Sequence, residues 1–195
     1  MGAGPVDVVD GIALHLLRWP DHAAALFDFE RSNRAYFAAS IPDRGDDYFT
    51  DFEGRHRLLL AEQEAGICYF HLLLTASGAV AGRMNLVDLA DGEAELGYRI
   101  AASAAGRGLA TAAVRRTCAL AATRYGLTRL NARTTLDNAG SRRVLERTGF
   151  EVVGEISLSG KPGLSYVREL GRGIGETAPG GPAPAGPGQA PARNG

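Results

Sequence analysis

Along the stretch EAELGYRI, Glu93, Glu95, Gly97 and Arg99 alternate with Ala94, Leu96, Tyr98 and Ile100. That two-residue period predicts an extended strand with one polar and one apolar face. Small residues follow, and Gly106-Arg107-Gly108 then leads into Leu109-Ala110-Thr111-Ala112-Ala113-Val114. This predicts a glycine-bearing turn that opens a helix over about 108–125, stopped by Gly126. Upstream, IALHLLR at 12–18 reads as a strand, and Pro20 begins a helix at its favoured first position. Residues 42–46 form a loop. A second helix over 47–65 carries Phe49, Phe52, His56, Leu59 and Leu60 as its apolar stripe and ends at Gly66.

ICYFHLLLTA and AVAGRMNLVDL have strand composition and are joined by Ser77-Gly78, a turn signal. Asp91-Gly92 turns the chain into the strand at 93–100, so these three strands should form an antiparallel meander. RLNARTT at 129–135 is a further strand. Asn138 caps a short helix that stops at Gly149. FEVVGEISL and LSYVREL (164–170) read as the last two strands. Only the strand-helix-strand passage at 93–135 suggests parallel neighbours. The expected fold is therefore mixed α/β, with a mostly antiparallel central sheet flanked by helices. The pattern divides the chain into an N-terminal extension (1–11), one domain (12–170) and a tail (171–195). The tail holds eight Gly and five Pro and almost no large apolar side chain, a composition that predicts disorder.

With 45% hydrophobic and 22% charged residues, the composition is that of an ordinary globular domain. A formal net charge of -1 argues against a general binder of nucleic acid or of anionic membranes. No apolar run approaches the length of a membrane span, and no secretory leader is apparent, so a cytoplasmic protein is expected. Cys68 and Cys118 sit in apolar runs and read as buried thiols. No Cys/His spacing suggests a metal site. The four histidines are scattered and read as structural or surface residues.

Glycines at a helix entrance let backbone N–H groups approach a ligand. The unpartnered first-turn N–H groups and the helix dipole favour negative charge there. The turn at 106–111 is thus a seat for phosphate, with the reactive end of a phosphate-bearing cofactor beside the carboxylates of the strand. The same glycines brush the dinucleotide fingerprint. That reading needs an acidic residue about 20 positions on, and GLTRLN at 126–131 offers none.

Three groups of residues resemble those of the GCN5-related N-acetyltransferases, and more narrowly the ribosomal-protein N-terminal acetyltransferase branch. They are Glu95-Leu96-Gly97-Tyr98-Arg99-Ile100, then Gly106-Arg107-Gly108-Leu109-Ala110-Thr111, then Asn138-Ala139-Gly140-Ser141 with Val144-Leu145-Glu146-Arg147-Thr148-Gly149-Phe150. The resemblance covers about residues 12–170. It implies direct transfer of acetyl from acetyl-coenzyme A, without a metal, to a primary amine: a protein N-terminus or a small amine. The protein would be a monomer or homodimer. The resemblance further implies that backbone N–H groups from Gly106 to Thr111 hold the pyrophosphate. Tyr98, Arg99 and Ile100 would pair with the pantetheine amides at a splay between the strands at 93–100 and 129–135. Asn138 and Ser141 would lie beside the pantetheine and the sulfur. Ala105 stands where the family's loop usually begins with Gln or Arg, and Leu145 where many relatives carry a Tyr proton donor. These departures support an alternative, a coenzyme-A-binding sensor or interaction module with little turnover.

An alkyl ammonium must lose a proton before it attacks, and the departing thiolate must be stabilised. Glu95, mid-strand and next to the loop, is the candidate general base, with Glu93 second. Ser141 is the candidate hydrogen-bond donor to the thiolate. In the family the first two helices cover the acceptor, which brings in Asn33, Arg34, Tyr36 and Phe37; Arg83, Asn85 and Glu93 are further acceptor-side candidates. Arg115, Arg116, Arg142 and Arg143 are candidates for the nucleotide phosphate. Neither cysteine falls near the loop's strand, which disfavours an acyl-enzyme.

Overall fold

The computed structural model describes residues 4–9 and 11–171. Its eight strands are β1 (Val6–Val9), β2 (Ile12–Leu16), β3 (Tyr69–Leu74), β4 (Val80–Ala90), β5 (Glu93–Ile100), β6 (Arg129–Thr135), β7 (Glu151–Leu158) and β8 (Lys161–Glu169). They form one sheet in the order β1-β2-β3-β4-β5-β6-β8-β7. β5 and β6 pair in parallel, and every other neighbouring pair is antiparallel. The fold is the mixed α/β arrangement that the pattern predicts. A parallel pair needs a crossover, and α5 (Leu109–Arg124) supplies it.

The remaining helices are α1 (Ala23–Ser32), α2 (Arg34–Ala38), α3 (Asp46–Thr50), α4 (Phe52–Glu64) and α6 (Ala139–Arg147). Strand alternation assigns them to opposite faces of the sheet. Met84, Leu86, Ala94 and Leu96 pack against Leu109, Ala113, Val114 and Cys118 of α5 and Leu145 of α6. Phe70, Leu72 and Leu74 pack on the other face against Leu26 and Phe29 of α1, Phe37 of α2, Tyr48 of α3 and Phe52 of α4. The alanines of α5 leave little side-chain bulk between the helix and the sheet.

Several local features differ from the pattern. Residues 6–9, expected in the N-terminal extension, form β1 and pair with β2. The single helix expected after Pro20 is two: α1 and α2 are parted at Asn33. The Asn33 amide donates to the Phe29 carbonyl at 2.9 Å and accepts the Ala102 N–H at 2.9 Å. Those bonds tie the break to the segment after β5. The expected helix over 47–65 divides at Asp51, whose carboxylate folds back over Gly54, where a larger side chain would collide with it. The last strand begins at Lys161 rather than 164, because Ser159 and Gly160 make the tight turn of a β7–β8 hairpin. Residues 172–195 of the expected tail lie outside the described residues.

Candidate active site

β5 and β6 pair over three positions only, Glu93 with Arg129, Ala94 with Leu130 and Glu95 with Asn131. Beyond them β5 continues to Ile100 against β4, and β6 continues to Thr135 against β8. The two strands separate, which leaves the facing backbone edges of 96–100 and 132–135 without a ladder between them. Buried backbone groups need partners, so this gap is built to receive a hydrogen-bonding ligand.

Two cavities meet at the gap. The larger, about 540 Å³, is walled by β5, by Ala132 to Thr135 of β6, by the loop carrying Arg44 and by Lys161 at the start of β8. The second, about 480 Å³, runs along Tyr98, Arg99 and Ile100 to Ala105, Gly106, Gly108, Ala110 and Thr111. Tyr98, Arg99, Asn138 and Ser141 line both.

The loop that closes the second cavity is shaped by its glycines. Gly106 has φ 77 and Gly108, the N-cap of α5, has φ 81, a region that costs an L side chain roughly 1–2 kcal/mol. Ala112 N–H donates to the Gly108 carbonyl at 3.1 Å and begins the helical ladder. The N–H groups of Leu109, Ala110 and Thr111 therefore point out of the helix end with no intrahelical acceptor. Arg143 and Arg147 of α6 line the same cavity and add positive charge. Of the other arginines considered for phosphate, Arg115 donates to the Arg147 carbonyl, Arg116 to the Asp7 carbonyl and Arg142 to the Leu136 carbonyl. Arg107 is exposed on the loop, while Leu109 is buried in the core as the helix's first anchor.

At the junction of the cavities the Tyr98 hydroxyl lies 3.0 Å from Ser141 Oγ. Ser141 is itself fixed: its N–H donates to Asn138 Oδ1 at 3.1 Å, so Asn138 is the N-cap of α6. Burial raises the Tyr98 pKa above the ordinary tyrosine value, partly offset by its hydrogen bond with Ser141. The pair is thus two neutral hydroxyls. Leu145 is buried in the core and lines the larger cavity. Ser141, one helical turn before it on α6, and Tyr98 beside Ser141 supply hydroxyls instead.

The carboxylates expected beside the cofactor lie elsewhere. Glu95 pairs with Arg133 at 2.5 Å, and Glu93 pairs with Arg129 at 2.8 Å and accepts from Asn131 at 3.1 Å. Both line a separate hollow with Asp88 and Asp91. Among the described residues no Asp or Glu lines either cavity at the splay. Of the acceptor-side candidates, Asn85 lines the larger cavity and Tyr36, half exposed, lines the second. Arg83 is buried in an ion cluster with Glu30, and Asn33 is committed to the backbone bonds described above. Both thiols are free and buried, and burial pushes each up to about 11, which removes them as nucleophiles. Sequence reasoning missed Arg44, Arg133 and Arg147. Arg44 is placed by a loop and Arg133 by sheet register, for which the local pattern carries no signal, whereas Arg147 follows Arg143 by one helical turn and is placed with it.

A family model described as an acetyltransferase (GNAT) domain matches residues 13–151. The chain belongs to that family. Among solved structures, this GNAT chain is similar to the ribosomal-protein-S5-alanine acetyltransferase from Vibrio fischeri. The TM-score is 0.80 at 16% identity, covering 87% of this chain and 98% of that one. It is also similar to RimJ of Mycobacterium smegmatis, solved with a coenzyme A disulfide. There the TM-score is 0.74 at 24% identity, covering 85% and 86%. A spermidine N-acetyltransferase from Vibrio cholerae, solved with coenzyme A and spermine, has a TM-score of 0.66 at 16% identity, covering 83% and 97%. No curated protein matches the chain in sequence.

Membership makes acetyl-coenzyme A the cosubstrate of this GNAT domain. The residues present fit it. The left-handed glycines and open helix end suit a diphosphate, the unpaired edge of β5 suits a chain of amides, and the second cavity connects the two. Among the described residues no helix is long and apolar enough to cross a membrane, and no cluster of side chains could hold a metal.

Proposed function

We propose that this GNAT protein transfers the acetyl group of acetyl-coenzyme A directly to a primary amine, either a protein N-terminus or a small molecule. The observation that carries this reading is the junction of two cavities at the Tyr98–Ser141 pair. Backbone N–H groups between Gly106 and Thr111 bind the diphosphate, with Arg143 and Arg147 nearby. The edge of β5 at Tyr98 to Ile100 orients the pantetheine amides. The acceptor enters by the larger cavity, and backbone N–H groups of the splayed strand polarise the carbonyl under attack. Ser141 and Tyr98 donate to the sulfur as its bond to the acyl carbon breaks.

The amine proton leaves to water in the larger cavity, because among the described residues no carboxylate lines it. Glu95 acts through Arg133, which it holds against that cavity. This arrangement favours an acceptor of low basicity. An α-amine with a pKa of about 8 is roughly a tenth neutral at pH 7, whereas a lysine with a pKa of about 10.4 is neutral well below ~0.1%. The buried free thiols suit a reducing compartment such as the cytoplasm. The test is mass spectrometry of peptides and small amines incubated with acetyl-coenzyme A. The reading expects one added acetyl group on α-amines before lysine side chains. Coenzyme binding without acetylation of any amine would favour a binding module instead.

A further inference from the structure

The larger cavity has a one-sided charge. Arg44, Arg99, Arg133 and Lys161 line it, and among the described residues no carboxylate does. Arg133 and Lys161 are each neutralised from behind, by Glu95 at 2.5 Å and Asp137 at 3.1 Å. Arg44 and Arg99 are not. Both turn to Glu30, at 3.8 and 3.0 Å, and Arg83 shares that carboxylate at 3.3 Å. One carboxylate faces three guanidiniums, so the cluster carries two positive charges in excess. The nearby Asp43 and Asp46 share Arg34, at 2.6 Å each, and the one negative charge left over there still leaves the wider group of arginines and carboxylates net positive. The two cavity arginines are held in place rather than free to drift. Arg44 lies over the Tyr48 ring at 4.4 Å and Arg99 over the Phe37 ring at 5.2 Å. Arg44 Nε is buried without a hydrogen-bond partner.

We infer that the acceptor is a primary amine that also carries an anionic group, a carboxylate or a phosphate, which Arg44 and Arg99 bind while the amine reaches the splay. This deepens the proposed acetyl transfer and rests on it. Guanidinium recognises both anions with paired N–H donors, and its charge repels a polycationic acceptor. The Glu30 carboxylate sets the spacing of the arginines without cancelling them.

The test compares peptide amides that differ only in charge: Ala-Asp against Ala-Asn for a carboxylate, and Ala-phosphoserine against Ala-Ser for a phosphate, with spermidine as the cationic case. The anionic member of a pair should show kcat/KM roughly tenfold or more above its neutral partner, with spermidine lowest. The preferred pair separates carboxylate from phosphate. The preference should shrink as salt rises, and in Arg44→Gln the ratio within each pair should fall towards one. Thermal unfolding with the same peptides, at saturating coenzyme A, reads binding apart from turnover: the anionic peptides should raise Tm and the neutral ones should not. Equal or better use of the neutral peptides or spermidine would overturn the anion reading while leaving acetyl transfer standing. Failure to acetylate any amine would overturn the proposed function, and an absence of charge preference in the unfolding curves would still sink the anion site.

Discussion

Tyr98 on β5 and Ser141 on α6 are brought within 3.0 Å, hydroxyl to hydroxyl, across the place where the sheet opens. The contact spans the two cavities and links the strand to the N-cap of the short helix. If these hydroxyls stabilise the departing sulfur, Ser141→Ala and Tyr98→Phe should each lower kcat by about 10- to 100-fold, with a smaller change in the KM for acetyl-coenzyme A. The double variant should lose less than the product of the single losses, because the two groups act together. Steady-state kinetics of the four proteins checks this. A KM effect without a kcat effect would reduce the pair to a packing contact.

Glu95 tests how the amine is deprotonated. A carboxylate acting as the base contributes about 10²- to 10⁴-fold. With Glu95 locked to Arg133 and outside both cavities, Glu95→Gln should cost only severalfold in kcat. The rate should instead follow the neutral fraction of the amine, rising with pH towards the acceptor's own pKa. A pH–rate profile of wild type and variant decides it, and a loss of a hundredfold would restore Glu95 as the base.

The loop glycines should matter to binding more than to folding. Gly108→Val places a branched side chain at φ 81 and strains the entrance of α5. The expected result is a KM for acetyl-coenzyme A raised at least about tenfold, with stability lowered by only about 1–2 kcal/mol. Isothermal titration and urea unfolding read the two effects separately.

Glu30 makes the opposite prediction. It is 2% exposed and is the counter-charge of Arg83, which is also 2% exposed. Glu30→Gln leaves buried guanidinium charge uncompensated and should destabilise the fold by about 3–5 kcal/mol in urea unfolding.

His71 gives the fold a pH dependence. Its ring is buried, bonded to the Tyr125 hydroxyl at 2.8 Å, and burial lowers its pKa to about 4. The unfolded chain takes up the proton near pH 6.5, before the folded one does. The contribution is therefore present in full above pH 6.5 and is lost as pH falls from there to about 4, on the order of 3 kcal/mol in all. Unfolding curves between pH 7 and 4 should show a shallower slope for His71→Gln than for wild type.

The strand at 93–100, the turn at 106–108 and the helix beyond are legible because alternation and glycine punctuation are local signals. So is the cap at Asn138, whose bond to the Ser141 N–H lies within one helical turn. The break at Asn33 is not legible, because its bond with the Ala102 N–H reaches 69 positions along the chain. β1 is four residues long and takes its structure from pairing with β2. The cavity walls are the least legible part. Glu30, Arg44, Arg83 and Arg99 meet only after four separate elements have packed. The polar alternation of Glu93 and Glu95 marks a face correctly. It does not show that arginines from β6 occupy both carboxylates.

The central claim is that amides at the mouth of α5 hold a diphosphate and aim a thioester into the splay beside Tyr98 and Ser141. Amide hydrogen exchange with and without coenzyme A measures this at the residues concerned. The account predicts added protection at Gly106 to Thr111 and along Tyr98 to Ile100, with little change at β1 and β2. Protection confined to another part of the chain, or none at the loop under saturating coenzyme, would contradict it.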